Sequence, residues 1–160
     1  MAMALSNTAF NPLAPQSCWA QAETSYDSHC TLRAQVVSRD HPKWLAVIVQ
    51  RLDEMGRLSS GWAGPGTVPP LFDVVLECLK KMQVFMPFEA VPPAILPTPQ
   101  GGIQLEWHCA HWDLEVEFGP DGSGDFWGED QLEGQEISGC VDAYEKLTLA
   151  IQSLSDRVGG

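Results

Sequence analysis

The stretch from residue 103 to residue 118 reads IQLEWHCAHWDLEVEF, and it decides the fold. Apolar and polar residues alternate through both of its halves, with apolar side chains at Ile103, Leu105, Trp107, Trp112, Leu114, Val116 and Phe118. A period of two is typical of a β-strand with one buried face. A turn at Cys109-Ala110 would place Trp107 opposite Trp112 and keep all of these side chains on one face. We therefore predict an antiparallel hairpin.

Three helices are predicted around this hairpin. Asp40 suits the N-cap of the first helix and Pro42 its first turn, because a side-chain oxygen satisfies free backbone N–H groups and proline tolerates this position. Apolar residues recur at helical spacing from Trp44 to Leu58. A second helix is expected from about Pro70 to just before Pro87. A C-terminal helix is expected over about 139–155.

The remaining segments complete an α+β fold. Ala94–Leu96 could pair as an edge strand between prolines, and a third strand is expected over 125–128. Residues 31–38 could be a short strand or a helix entry. We predict a small antiparallel sheet of about three to four strands, with two N-terminal helices and one C-terminal helix packed on one face. The expected organisation is a mobile N-terminal arm over 1–30 and a single domain over 31–157.

Composition favours a cytoplasmic protein. Five cysteines at irregular spacing form no CxxC pair, which is typical of reduced thiols rather than of a disulfide framework. The N-terminus has no basic region followed by an apolar run, so it does not resemble a signal peptide. The sequence contains no run of about 18 consecutive apolar residues, so we expect no transmembrane helix.

Charge is concentrated in one quarter of the chain. The net charge is −12, from 21 acidic and 9 basic residues. Residues 106–145 hold no Lys or Arg and carry acids at Glu106, Asp113, Glu115, Glu117, Asp121, Asp125, Glu129, Asp130, Glu133, Glu136, Asp142 and Glu145. Direct nucleic-acid binding is disfavoured, because phosphates require positive charge. The acids either solvate the protein or attract a basic partner.

We predict that part of this segment contacts a basic partner protein. In the expected hairpin, Glu106 lies opposite Asp113, and like charges directly across a strand pair destabilise a sheet. A sheet that tolerates this repulsion suggests a use for the field, with Trp127 as an apolar anchor. The expected partner-binding residues are Glu106, Asp113, Glu115, Glu117, Asp125, Trp127, Glu129 and Asp130.

Motifs for cofactors and catalysis are absent from the sequence. His108, Cys109 and His111 at the hairpin tip are weak candidate metal ligands, because structural zinc needs four ligands and no fourth is evident. A plain polar hairpin tip is the alternative. The loop that begins at Asp121 fails the EF-hand pattern at its sixth and twelfth positions. The sequence contains no P-loop, GxSxG or HExxH motif, and we expect neither a cofactor nor a catalytic site.

One set of motifs carries a resemblance. The loop GWAGPGTVPP at 61–70 precedes PTPQGGIQLEWH at 97–108 and LEVEF at 114–118. Together they resemble a group of small, poorly characterised bacterial proteins that share a GWxG loop and a PTPxGGIxLEW / LExEF hairpin. This resemblance implies a bacterial accessory protein of toxin–antitoxin or mobile-element neighbourhoods. It covers residues 61–118 and implies no catalytic residue.

The sequence leaves three hypotheses for function. The first is an acidic protein-binding module, antitoxin- or inhibitor-like, that docks a basic partner such as a nuclease through residues 106–145. The alternative is a nucleic-acid mimic of the anti-restriction or anti-CRISPR kind, from a phage or plasmid, whose carboxylates imitate phosphates. The third is a metal-dependent hydrolase that uses Glu106, His108 and His111; this hypothesis is the weakest, since residue types without mutual geometry do not make a site.

Overall fold

The computed structural model describes residues 41–159. Three sequence-based predictions lie outside that range: the arm over 1–30, the short element over 31–38 and the Asp40 cap. The described part of the chain is α+β, in the order α1 Lys43–Met55, α2 Phe72–Phe85, β1 Ala94–Pro97, β2 Ile103–Cys109, β3 Trp112–Phe118, β4 Gly124–Asp130, β5 Gln135–Cys140 and α3 Glu145–Gly159.

The strands form one antiparallel meander in which each strand pairs with its neighbour in sequence, in the order β1-β2-β3-β4-β5. The strand count within residues 41–159 is therefore five, and the prediction of three to four was too low. The missed strand is β5, which the sequence-based prediction divided between a loop and the start of the last helix. Only Ile137 is a large apolar residue in β5, so its alternation is too weak to indicate a strand.

The hairpin β2–β3 exists, but its register differs from the predicted one. The turn is Ala110-His111 rather than Cys109-Ala110, so Cys109 pairs with Trp112 and Trp107 pairs with Leu114. Both turn residues have positive φ, 51° and 65°, the pattern of the type I′ turn that matches the twist of two-residue hairpins. The shift moves each pairing by two residues, so every side chain keeps its predicted face.

The helices follow their apolar spacing, with adjustments at their ends. Pro42 occupies the N-cap position of α1 rather than its first turn, and no side chain caps that end. The C-terminal helix begins at Glu145, six residues later than expected, because β5 and the buried Val141 come first. The buried faces of all three helices join the inward side chains of the sheet in a single core.

The GWAGPGT loop and the PTPQGG turn meet in the structure. Val68 N–H donates to Pro99 O at 3.0 Å, within a parallel bridge between Val68 and Gln100. Gly102 lies against the end of β3, and a Cβ there would overlap the carbonyl oxygen of Phe118. The two motifs that carry the family resemblance therefore form one corner of the fold.

Among residues 41–159, no helix is both long and apolar enough to cross a membrane.

Candidate functional site

The outer face of the sheet, opposite the core, carries most of the acidic segment. Strand alternation sends the apolar residues of β2, β3 and β4 inward and the residues between them outward. We call the outward carboxylates the acidic face: Glu106, Asp113, Glu115, Glu117, Asp125, Glu129 and Glu136. No Lys or Arg occurs anywhere between residues 82 and 145, so no strand contributes a permanent positive charge to this face.

Carboxylates on this face lie directly opposite one another. Glu106 pairs with Glu115, which replaces the predicted pairing of Glu106 with Asp113. Further like-charged pairs across the sheet are Glu117 with Asp125, Asp113 with Glu129, and Glu129 with Glu136. Opposed like charges cost stability, typically by tenths of a kcal/mol for each pair. The structure therefore holds an electrostatic repulsion that folding alone does not require.

Trp127 lies in the middle of the acidic face. It stands between Glu115 on β3 and Ser138 on β5, and 43% of its surface is exposed. An exposed indole ringed by carboxylates combines an apolar contact with charge, as the energetically dominant residues of protein interfaces often do. Trp127 is therefore placed where the sequence-based hypothesis needs an anchor.

A histidine network partly compensates the charge at one end of the face. His108 lies across from Asp113, with Nδ1 2.9 Å from Asp113 Oδ1 and Nε2 3.4 Å from Glu106 Oε2. The hydrogen bond to Asp113, assisted by the one to Glu106, raises the pKa of His108. The same bond, with a second from Gln131 Nε2 at 2.6 Å, lowers the pKa of Asp113.

Three residues of this network could hold a divalent cation. Ligand atoms of Glu106, His108 and Glu115 all lie within 4.8 Å of one another. Gln104 Nε2 orients Glu115 through a 3.3 Å hydrogen bond, and Asp113 orients the imidazole. Nitrogen and carboxylate oxygen ligands suit zinc and neighbouring transition metals.

The predicted metal candidates at the hairpin tip do not come together. Cys109 points to the inner face, where burial raises the pKa of its thiol and disfavours the thiolate that binds metals. His111 is exposed in the turn. Only His108 lies among carboxylates, so neither a set of His108, Cys109 and His111 nor the proposed hydrolase set with His111 is assembled in the described residues.

Asp130 does not belong to the acidic face, and its prediction as a partner contact was wrong. Its position on β4 points inward, and only 2% of its surface is exposed. Arg157 of α3 donates to both carboxylate oxygens, at 2.9 and 2.6 Å, and Leu132 N–H donates at 3.0 Å. The Arg157 pair lowers the pKa of Asp130. Asp130 therefore anchors α3 and the β4–β5 turn.

Glu136 is a member of the acidic face that the sequence-based list omitted. It lies on β5 directly opposite Glu129. The one signal that could have identified it is the alternation of Glu136 and Ser138 with Ile137, which is too short to separate a strand from a loop.

A groove runs along the far edge of the sheet, between β5 and α3. It comprises two adjoining cavities of about 410 Å³ and about 540 Å³, with Lys146 in both linings. Residues Gln135–Gly139 form one wall, and the other is formed by residues 142–144 together with one face of α3. Trp112 and Phe126 contribute apolar surface to the two cavities.

Comparison with known proteins assigns no relative to this chain: no family model, no curated protein and no solved structure matches it significantly. The resemblance seen in the sequence therefore stays a prediction.

Proposed function

We propose that this protein is an acidic binding module, antitoxin- or inhibitor-like, that docks a basic partner protein on its acidic face. The observation that supports the proposal is the combination of seven outward carboxylates with the exposed Trp127 on one sheet surface, whose five described strands contain no Lys or Arg. A surface that only needs to be soluble is best served by both signs of charge interspersed, without a large field of one sign. A segregated negative face attracts a positive partner and speeds its association.

The physical division of labour follows from this arrangement. The carboxylates steer the encounter over roughly a Debye length, about 8 Å at physiological salt. Trp127 supplies the desolvated contact that slows dissociation once the partner is seated. The opposed carboxylates gain most from the partner, because its cations relieve a repulsion that the free protein retains. A nuclease or another nucleic-acid-binding protein has the kind of basic surface that fits, and covering it would block its activity.

The test is a capture experiment with a matched control. Wild-type protein, the double variant Glu115→Lys/Glu117→Lys and a control with Glu54→Lys/Glu89→Lys are immobilised and exposed to lysate of the source organism. The last two variants carry the same net charge, but Glu54 and Glu89 lie outside the sheet. We expect a basic protein that is retained by wild type and control, released at moderate salt, and lost from the Glu115/Glu117 variant.

Retention of the same proteins by all three baits would contradict the proposal, because binding would then not depend on the acidic face. The same would follow if only net charge mattered, which would appear as equal losses in the two variants. Circular dichroism of each variant establishes that a loss of binding is not a loss of fold.

The regular rows of the face favour a second candidate, a nucleic-acid mimic. Asp113, Glu115 and Glu117 follow one another along β3 at a spacing of about 7 Å, two residues of extended chain, with further carboxylates on the neighbouring strand. Such a row could occupy a groove that grips a phosphate backbone. Duplex DNA should then displace the protein from its captured partner, whereas a partner indifferent to DNA favours the antitoxin-like role.

A further inference from the structure

Among residues 41–159, no strand pairs with the outer edge of β5. In antiparallel pairs, residues alternate between those that bond to the neighbouring strand and those that point away from it. Val141 N–H donates to Gly124 O at 2.8 Å, which sets the alternation and directs the backbone of Ile137 and Gly139 toward β4. The backbone N–H and C=O groups of Glu136 and Ser138 therefore point away from β4, toward the open edge of the sheet, and no described strand pairs with them.

The groove beside this edge has room for an extended peptide. It follows β5 from Gln135 to Gly139, and its opposite wall is formed by α3 and by the connection that precedes this helix. Leu149, which is 71% exposed, lines this groove together with Ala150. Trp112 also lines it. A strand edge beside a groove that carries apolar side chains fits a peptide backbone with apolar side chains on one side.

The charges around the edge define the other side of that peptide. Glu136 projects from β5 onto the acidic face, beside Glu129 on β4 and two strands away from Asp113 on β3. A strand added at this edge would extend the acidic face, so its outward side chains would lie next to Glu136 and Ser138. Its inward side chains would enter the groove near Ile137 and Leu149. Basic residues complement the first environment, and apolar residues complement the second.

We propose that β5 accepts an extended segment of the partner as a sixth, antiparallel strand, and that this segment alternates Lys or Arg with apolar residues. The basic side chains of this segment rest on the proposed function, whereas the strand addition rests on the edge and the groove alone. Main-chain hydrogen bonds to Glu136 and Ser138 give affinity, and the alternation gives specificity.

The test uses a synthetic peptide, acetyl-Lys-Val-Lys-Leu-Lys-Val-Lys-amide, and the whole protein. In antiparallel addition, a peptide residue directly opposite Glu136 or Ser138 has its side chain on the same face of the sheet. The Lys residues would therefore lie opposite Glu136 and Ser138, and their backbone N–H groups would donate to the carbonyl oxygens of β5. N-methylation of the Lys backbone nitrogens should weaken binding about tenfold or more, whereas N-methylation of Val and Leu should leave it nearly unchanged. Nitrogen–proton NMR should show the largest shifts at the Glu136 and Ser138 amides.

A pair of variants at one position supplies a second measurement. Ser138→Pro removes the outward N–H, and an edge strand is where proline is tolerated. Ser138→Ala keeps the N–H and is the matched control. We expect Ser138→Pro to lose the peptide and Ser138→Ala to retain it. If Ser138→Pro fails to fold, the methylated peptides on wild-type protein still decide the question.

Each outcome separates the edge from the acidic face. Equal binding of the two methylated peptides, or no NMR shift at the Glu136 and Ser138 amides, overturns strand addition. A loss of partner capture by the Glu115→Lys/Glu117→Lys variant would then still support the acidic face. The opposite result is also informative. If the two Ser138 variants and the methylated peptides behave as expected, but the Glu115→Lys/Glu117→Lys variant still captures the partner, strand addition stands and the proposed function fails.

Discussion

The two faces of this sheet are built from the same strands and obey opposite rules. On the inner face, Leu105, Leu114 and Val116 are completely buried and pack with all three helices. On the outer face, carboxylates lie opposite carboxylates around Trp127. Adjacent residues of one strand therefore lie in different environments, one in the apolar core and the next on a charged, exposed surface. The inner face accounts for stability, and the outer face retains a repulsion that folding does not require and that the proposed binding role would explain.

The largest contrast should appear between neighbouring residues of β3. Leu114→Ala removes a completely buried side chain and should lower the free energy of unfolding by about 3 kcal/mol. Glu115→Ala, one residue later on the outer face, should change it by no more than about 0.5 kcal/mol. Urea unfolding of both variants gives the comparison. Similar losses in the two would show that the outer face is also required for the fold.

Asp130 is the exception on the inner face, and acid should reveal it. Arg157 lowers its pKa, so the folded state binds the proton less readily than the unfolded chain. The resulting stability is complete above the ordinary aspartate pKa of about 3.9 and is lost as pH falls below it.

Asp130→Asn should therefore be less stable than wild type at neutral pH and should lose less stability between pH 5 and pH 3, as urea midpoints at about these values would show. Asp113→Asn is a useful comparison, since His108 lowers the pKa of Asp113 on the exposed side of the sheet. If Asp130→Asn lost as much stability between pH 5 and pH 3 as wild type does, the structural role of the Asp130–Arg157 pair would be contradicted.

The turn that joins the two alternating strands offers a smaller gain. Ala110 and His111 both adopt positive φ, which costs residues with a Cβ, whereas Asn-Gly is suited to this turn. Ala110→Asn/His111→Gly should raise the free energy of unfolding by on the order of 1 kcal/mol. A loss of stability in thermal unfolding would show that the turn conformation is not the one described.

The smallest effect should separate stability from binding on the outer face. Glu117→Lys places a cation opposite Asp125 and should stabilise the protein by a few tenths of a kcal/mol at low salt. The same change should weaken binding of the basic partner, because it reverses one charge of the acidic face. A variant that becomes less stable, or that binds the partner more tightly, would break the distinction between the two faces.

The sequence predicts the inner face well because burial imposes a strict period of two. The same alternation places Glu115, Glu117 and Trp127 on the outer face without any knowledge of the neighbouring strands. The register could not be predicted, since Ala110-His111 carries none of the Gly or Asn residues that mark a type I′ turn. Each of these results depends only on local spacing.

Long-range pairing accounts for the other errors. Asp130 was taken for a surface acid because its partner, Arg157, lies 27 residues away on a helix. The alternation of β4 does give Asp130 the parity of the buried Phe126, but parity alone does not identify a cation to pair with it. β5 was missed because an edge strand buries little, and one isoleucine does not establish a period.

The order of the strands also bears on how quickly the protein folds. Because each strand pairs with the next one in sequence, the sheet can grow hairpin by hairpin with only short loops to close. Local pairing of this kind lowers contact order and speeds folding. A nascent chain would then spend little time with the β5 edge exposed beside unpacked apolar strands, the state in which small β-rich proteins aggregate.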